Sequence, residues 1–274
     1  MDMASRDIVR AIQDLTGLDW NERASSSGTA GTYLKARTGS GSRLIYYKLP
    51  RYNGVVIDGY ECVNELLASR LMNALGIEHL AYRLIHARVL IDDTEYKTWL
   101  NSSRNFRKVG ERKLSLGAFF DLYKNPGESP IGLCRRFGWQ EDIARMMLVD
   151  YLMANRDRHA SNIEVLAAPD GSFRIAPIFD TGFSLLAPLA GDLERITAFD
   201  PLADVATTNF VGSRSLEENL RTVSPVEGVD DLDEARIAEL FDGLEGILPG
   251  AVLLKMQEII QRRWARYEEI RANR

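Results

Sequence analysis

Residues 152–182 read LMANRDRHASNIEVLAAPDGSFRIAPIFDTG, and this stretch decides the fold. It begins at the end of IARMMLVDYLMA, an almost wholly apolar run that predicts a helix buried in a core. The polar loop NRDRHASN follows. Two β-rich runs, IEVLAA and SFRIAPIF, then flank a PDG turn and predict a hairpin. The hairpin delivers Asp180 in a D-x-G sequence.

Phosphoryl transfer needs this kind of layout. One aspartate positions the acceptor hydroxyl and takes its proton, and an asparagine five residues later holds a metal ion. A second aspartate, in a D-x-G turn, holds metal on the phosphates. The first two side chains must enter a cleft from one tight loop, and the third must arrive on the next hairpin. D-x-x-x-x-N by itself selects poorly, since Asp150–Asn155, Asp157–Asn162 and Asp204–Asn209 all fit it. D-x-G occurs once, at Asp180–Gly182. Asp157–Asn162 alone follows an apolar helix and precedes a hairpin that ends in D-x-G. The competing reading makes these residues polar turn formers that cap a hairpin.

Two further parts belong upstream: a strand lysine for the phosphates and a helix glutamate to hold it. Lys48 ends the β-rich run SRLIYYKL. Glu65 lies on YECVNELLASRLMNAL, residues 60–75, an amphipathic helix with Val63, Leu67, Leu71, Ala74 and Leu75 on one face. Glu61, one turn earlier, is its rival, and Gly76 sits where a helix-ending glycine belongs. The Ser/Gly segment from Ser25 to Thr32 can cover phosphates with backbone N–H groups, although such a segment is also a common turn.

Working outward, residues 5–17 read as a short helix ending at Gly17. YRLIHARVLI, DDT and EYKTWL predict a hairpin, and NSSRNF after it is the candidate hinge for adenine. From about Leu114 the chain reads as helical, with further helices near 232–245 and 251–271. The charges of the last helix suit a solvated face.

The chain has 274 residues, enough for two packed lobes, and 45% hydrophobic with 27% charged residues is ordinary for a globular protein. A net charge of −5 argues against a broad nucleic-acid-binding face. Cys62 and Cys134 lack metal-site spacing and read as reduced thiols. There is no secretory segment and no apolar run of membrane-spanning length, so the expectation is a cytoplasmic protein with no membrane partner.

At these residues the chain resembles the HipA-like kinase family. LMANRDRHASNIEVL and FRIAPIFD are similar to its catalytic loop and metal-binding hairpin, and YYKLP to its strand-lysine motif. NELLASRLMNALGI is similar to its glutamate helix, which selects Glu65 over Glu61. GTAGTYLKA is similar to its phosphate loop, with Lys35 on a lysine that can face the nucleotide. The resemblance implies a Ser/Thr protein kinase using ATP and Mg²⁺. Its catalytic residues would be Asp157, Lys48 and Glu65, and its metal ligands Asn162 and Asp180. Ser27, Gly28, Thr29, Gly31, Lys35, Lys48 and His159 would contact the nucleotide. His159 orders the loop in this reading and Asp157 does the chemistry, while His79 and His86 are structural. Because the family autophosphorylates in this loop, Ser25, Ser26 and Ser27 become candidates for a switch, displaced by at least one position.

The departures are a chain shorter than full-length HipA toxins, which leaves an antitoxin-type partner without support, and Tyr33 where the family often carries glutamine. The expected fold is α+β and bilobal: a strand-rich lobe over 1–105 and a mainly helical lobe over 106–274. A small-molecule or phosphoinositide kinase, or a pseudokinase binding module, is the alternative on the same scaffold.

Overall fold

The computed structural model describes residues 7–20, 22–24 and 33–273. Its first lobe is a six-stranded sheet of β1 (Ile8–Asp14), β2 (Glu22–Ala24), β3 (Tyr33–Thr38), β4 (Ile45–Lys48), β5 (Tyr82–Ile91) and β6 (Thr94–Arg104), in the order β1-β5-β6-β4-β3-β2. All pairs are antiparallel except β1 with β5. β5 and β6 form a hairpin through Asp92 and Asp93, at φ 47° and 62°. A two-residue turn whose strands keep their twist needs that left-handed pair, and aspartate tolerates it. The turn is thus one residue shorter than DDT, and Thr94 already belongs to β6.

The helix expected over residues 5–17 is instead β1. The segment lies alongside β5, with the Leu84 N–H donating to the Asp7 carbonyl and the Leu15 N–H to Arg88. So short a helix has little intrinsic stability in water, whereas the edge of β5 offers a row of unpaired backbone groups. Tertiary pairing overrides the local periodicity.

The helix α1 (Glu61–Ala74) crosses one face of this sheet. It is buried from Glu61 through Met72, polar residues included, and is not the amphipathic helix the sequence predicts. The reason is that it is covered twice, by the sheet and by the second lobe. Leu66, Leu67 and Leu71 share a single core with helices of that lobe, while Trp20, Leu34, Val89 and Leu100 form a separate core in the first lobe. Gly76, at φ 69°, ends the helix in the left-handed region as expected.

The chain passes between lobes over residues 105–111. Leu114 then lies in a strand and not in a helix: β7 (Arg112–Ser115) pairs with β8 (Glu164–Ala167), which pairs with β9 (Phe173–Ile175). Helix α2 (Leu116–Tyr123) starts immediately afterwards, with Ser115 Oγ accepting from the Ala118 N–H at 3.1 Å. Then come α3 (Pro130–Arg136), α4 (Gln140–Leu152), α5 (Leu193–Thr197), α6 (Leu216–Val223), α7 (Glu234–Glu239) and α8 (Gly250–Ala272). α4 packs against α3, α6 and α8 and is buried from Met146 to Leu152. α7 is shorter than the predicted 232–245: Asp233 caps its start, and the chain after Glu239 continues as turns through Gly243, at φ 71°. Both cysteines are buried free thiols. Among the described residues no helix is long and apolar enough to cross a membrane.

Candidate active site

The loop after α4 turns at Ala154, φ 49°, and is held from within by Arg158. This fully buried guanidinium donates to both oxygens of Asp150 (2.9 and 2.8 Å), to the Asn162 carbonyl (2.9 Å) and to the Phe179 carbonyl (2.8 Å). One side chain therefore ties together the helix end, the loop and the residue before Asp180. Asn155 Nδ2 completes the shell of Asp150 at 2.7 Å. The pair Asp150–Asn155 is thus spent on structure. The pair Asp204–Asn209 serves local backbone: Asp204 accepts from Ser215 Oγ and the Glu217 N–H near the start of α6, and Asn209 accepts from the Val211 and Gly212 N–H groups.

Asp157 and Asn162 occupy the loop between these anchors. Both are 5% exposed. Asn162 Nδ2 donates to the Asp157 carbonyl at 2.8 Å, so its amide oxygen is the atom left for a cation. Asp157 Oδ1 accepts from Thr208 Oγ at 3.2 Å and lies 3.6 Å from His159 Nε2. Burial pushes the Asp157 carboxyl up, against the pull of His159 and Thr208. His159 Nδ1 accepts from the Ser161 N–H at 3.2 Å, a contact that orders the loop.

Asp180 is brought opposite by β9 and the segment after it. It holds a positive φ of 54°, uncommon for a residue with a side chain. Its N–H donates to Tyr82 Oη at 3.3 Å. Lys48 Nζ donates to Asp180 Oδ1 at 2.5 Å and to Glu65 Oε1 at 2.8 Å. Burial by itself would raise the Asp180 pKa, but Lys48 and Lys35 outweigh it and hold the carboxylate well below the usual range. Burial likewise disfavours the Lys48 cation, and Asp180 with Glu65 more than reverse this, so its pKa rises. Glu65, with one acidic partner nearby and almost no exposure, is pushed up to about 7 by burial against Lys48.

Glu61 is buried too, yet it meets other partners. It accepts from Tyr33 Oη at 3.2 Å and from the Arg51 N–H at 3.1 Å. The Tyr33 ring lies under Lys48, whose Nζ is 5.0 Å from its centroid. Thus the tyrosine that departs from the family pattern supports the lysine from below. Gly182 has a steric reason to be glycine: a Cβ there would meet Glu61 Cβ at 3.0 Å and Glu65 Oε1 at 3.4 Å.

Lys35, Lys48, Glu65, His159, Asn162 and Asp180 line a cleft of about 400 Å³, with Tyr46, Tyr82 and Phe106 among its aromatic walls, while Asp157 is not part of that lining. That volume suits a nucleotide-sized ligand. Burial and the charge of Lys48 pull the Lys35 pKa down. Ser25, Ser26, Ser27, Gly28, Thr29 and Gly31 lie outside the described residues. The expected hinge needs correction. Asn101 to Arg104 belong to β6, a central strand paired with β4 on one side and, through Ser103, with β5 on the other. Their backbone is committed to the sheet, which leaves Asn105 and Phe106 of the expected segment outside β6, and Phe106 and Arg107 reach the cleft.

Among the described residues no group of three or more histidine, cysteine, aspartate or glutamate side chains could hold a metal ion. Of the oxygen donors that line the cleft, the Asp180 carboxylate and the Asn162 amide oxygen are the two the sequence assigns to a metal. That set fits Mg²⁺, which takes one or two protein oxygens and completes its shell with phosphates and water.

Reading from sequence missed Arg158 with Asp150, Tyr82, and Thr208. Arg158 stands inside the quoted motif and a buried role was open to it. Tyr82 and Thr208 carry no local signal, because their partners are distant in the chain.

No family model and no curated protein matches the chain. Solved structures do. The Helicobacter pylori proinflammatory kinase CtkA superposes with a TM-score of 0.63 at 16% identity, over 96% of this chain and 97% of that one. HipA of Shewanella oneidensis MR-1, from its complex with HipB and operator DNA, gives 0.48 at 15% identity, over 93% and 68%. The Neurospora crassa PAN3 pseudokinase gives 0.34 at 12% identity, over 95% and 68%. The near-complete match to CtkA establishes the architecture: the chain has the bilobal α+β fold of a protein kinase.

Proposed function

We propose that the chain is an ATP-dependent kinase that transfers the γ-phosphoryl group to a serine or threonine hydroxyl of a protein. The observation that carries the reading is the position of Lys48, bonded at once to Glu65 of α1 and to Asp180 of the facing lobe. Such a lysine, on the β4 strand of one lobe and tied to an acid of the other, marks a phosphate site between lobes. In domain terms, residues 1–105 form the nucleotide-covering lobe and 106–274 the catalytic lobe.

Lys48 and Lys35 orient the phosphates and neutralise part of their charge. Glu65 fixes the lysine, and Tyr33 supports it. Asp157 aligns the acceptor hydroxyl and takes its proton as the oxygen attacks, for which a carboxylate raised by burial is suited. Asn162 and Asp180 would hold Mg²⁺, which supplies charge neutralisation to the phosphates when bound. The mechanism is one of positioning and electrostatics.

The test is incubation of the purified chain with ATP labelled at the γ-phosphate, alone and with host lysate, followed by mass spectrometry of labelled species. Label on protein serine or threonine supports the reading. Label confined to lipid or small molecules would overturn the protein acceptor while keeping the transferase.

A further inference from the structure

The catalytic aspartate already has a hydroxyl in front of it. Thr208 Oγ lies 3.2 Å from Asp157 Oδ1, the oxygen to which an acceptor would give its proton. Thr208 is exposed, so burial does not explain the contact. The backbone around it runs beside the catalytic loop as an added strand would: the Thr208 N–H donates to the Arg156 carbonyl and the Phe210 N–H to the Arg158 carbonyl, each at 3.0 Å. Main-chain pairing of this kind is how an extended peptide is held by a groove. The neighbouring Thr207 is different. It is 2% exposed, and its hydroxyl is buried without a partner.

A second observation concerns where a new negative charge would go. Arg156, whose carbonyl accepts from Thr208, has a buried Nε with no hydrogen-bond partner among the described residues. Burial and the like charge of Arg195 both act against its cation. A buried donor without a partner is costly, and a guanidinium N–H is well suited to a phosphate oxygen.

We propose that Thr208 is a built-in acceptor, phosphorylated within the same molecule by the site it caps. The inference rests on the kinase reading above. In the transfer, Thr208 Oγ forms a bond to the γ-phosphorus of ATP, and the bond from that phosphorus to the β–γ bridging oxygen breaks. ADP leaves with those electrons, and the Thr208 proton passes to Asp157 and then to solvent. The product carries roughly −1.5 to −2 charges. It is repelled by Asp157 and attracted by Arg156 and Arg195, so it clears the aspartate for other acceptors.

The experiment starts from full-length chain treated with a protein phosphatase that is then removed. Intact mass and peptide mapping follow incubation with Mg·ATP at several protein concentrations, with casein as an external probe in parallel. The expected result is one phosphate on Thr208, gained at a rate per molecule independent of protein concentration. It should persist in Thr208→Ser, and be absent in Thr208→Val and in Asp157→Asn. Absence of phosphate on Thr208 in the wild-type chain, or its appearance on Thr207 instead, overturns the inference. Labelling of Thr208 that rises with protein concentration overturns the intramolecular route. If Thr208 stays unmodified, ADP release or phosphate on casein shows that the kinase reading stands alone. If neither occurs, that reading falls as well. Loss of casein phosphorylation in Thr208→Val with no phosphate ever found on Thr208 would reduce the residue to a support for Asp157.

Discussion

The Cβ that Gly182 lacks would lie 3.0 Å from Cβ of Glu61, so the D-x-G turn and helix α1 are in contact at the one residue type that permits it. This close approach places Asp180 and Glu65 around the same lysine. Gly182→Ala forces either the turn or the helix to shift by a few tenths of an ångström. The expected cost is about 1–3 kcal/mol of stability, in the range of overpacked sites. Phosphoryl transfer should fall further than that loss explains, because Asp180 moves relative to Lys48. Denaturant titration beside steady-state kinetics checks both.

Arg158 and Asp150 form an ion pair with 0% and 1% side-chain exposure. Removing one partner strands a buried charge, so Arg158→Met should destabilise the chain by about 3–5 kcal/mol. The double change Asp150→Leu with Arg158→Met should recover much of that stability. It should not recover activity, since the bonds from Arg158 to the Asn162 and Phe179 carbonyls are gone. Recovery of both would mean that Arg158 serves the fold and not the loop geometry.

Glu61 and Glu65 are separable by substitution. Glu65→Gln takes a charge from Lys48 directly and should lower kcat by about 10²-fold, the scale of losing one electrostatic contact in a phosphate site. Glu61→Gln acts through Tyr33 and the Arg51 N–H and should cost less. Equal effects of the two changes would contradict a specific Lys48–Glu65 pairing.

A pH prediction comes from Glu128, whose pKa is held down to about 2 by its bonds to Arg136 and the Asn125 N–H. A depressed carboxylate contributes stability that is present above its unfolded pKa and lost as pH falls through the folded one. The stability difference between wild type and Glu128→Gln should therefore be full near neutral pH and shrink from about 4.5 down to about 2. A difference constant over that window would assign Glu128 a role other than its charge.

The loop after α4 and the hairpin that follows it were legible because they are contiguous. An apolar helix, a polar loop and a turn-bounded hairpin state their geometry within about thirty residues, and the structure brings Asn162 and Asp180 to one cleft with Lys48 and Glu65. What stayed hidden depends on contacts distant in sequence. β1 became a strand because residues 84–88 needed a neighbour. α1 hid its polar residues because a second lobe covers it. Most of NSSRNF proved to be strand because β6 runs to Arg104, and nothing local tells a long central strand from a short one. Thr208 meets Asp157 across 51 intervening steps of chain. Pattern reading sees which face of an element is apolar, and it does not see which other element will cover it.

The most direct test of the account is ATP turnover by the purified chain against Asp157→Asn and Asp180→Asn, with the fold of each variant checked by thermal unfolding. Asparagine matches aspartate in size and shape, so both variants should unfold near the wild-type temperature. Loss of proton-transfer assistance at Asp157 should lower transfer by about 10²–10⁴-fold, and Asp180→Asn should be at least as severe. Wild-type turnover in either folded variant would contradict the assignment of this cleft as a phosphoryl-transfer site.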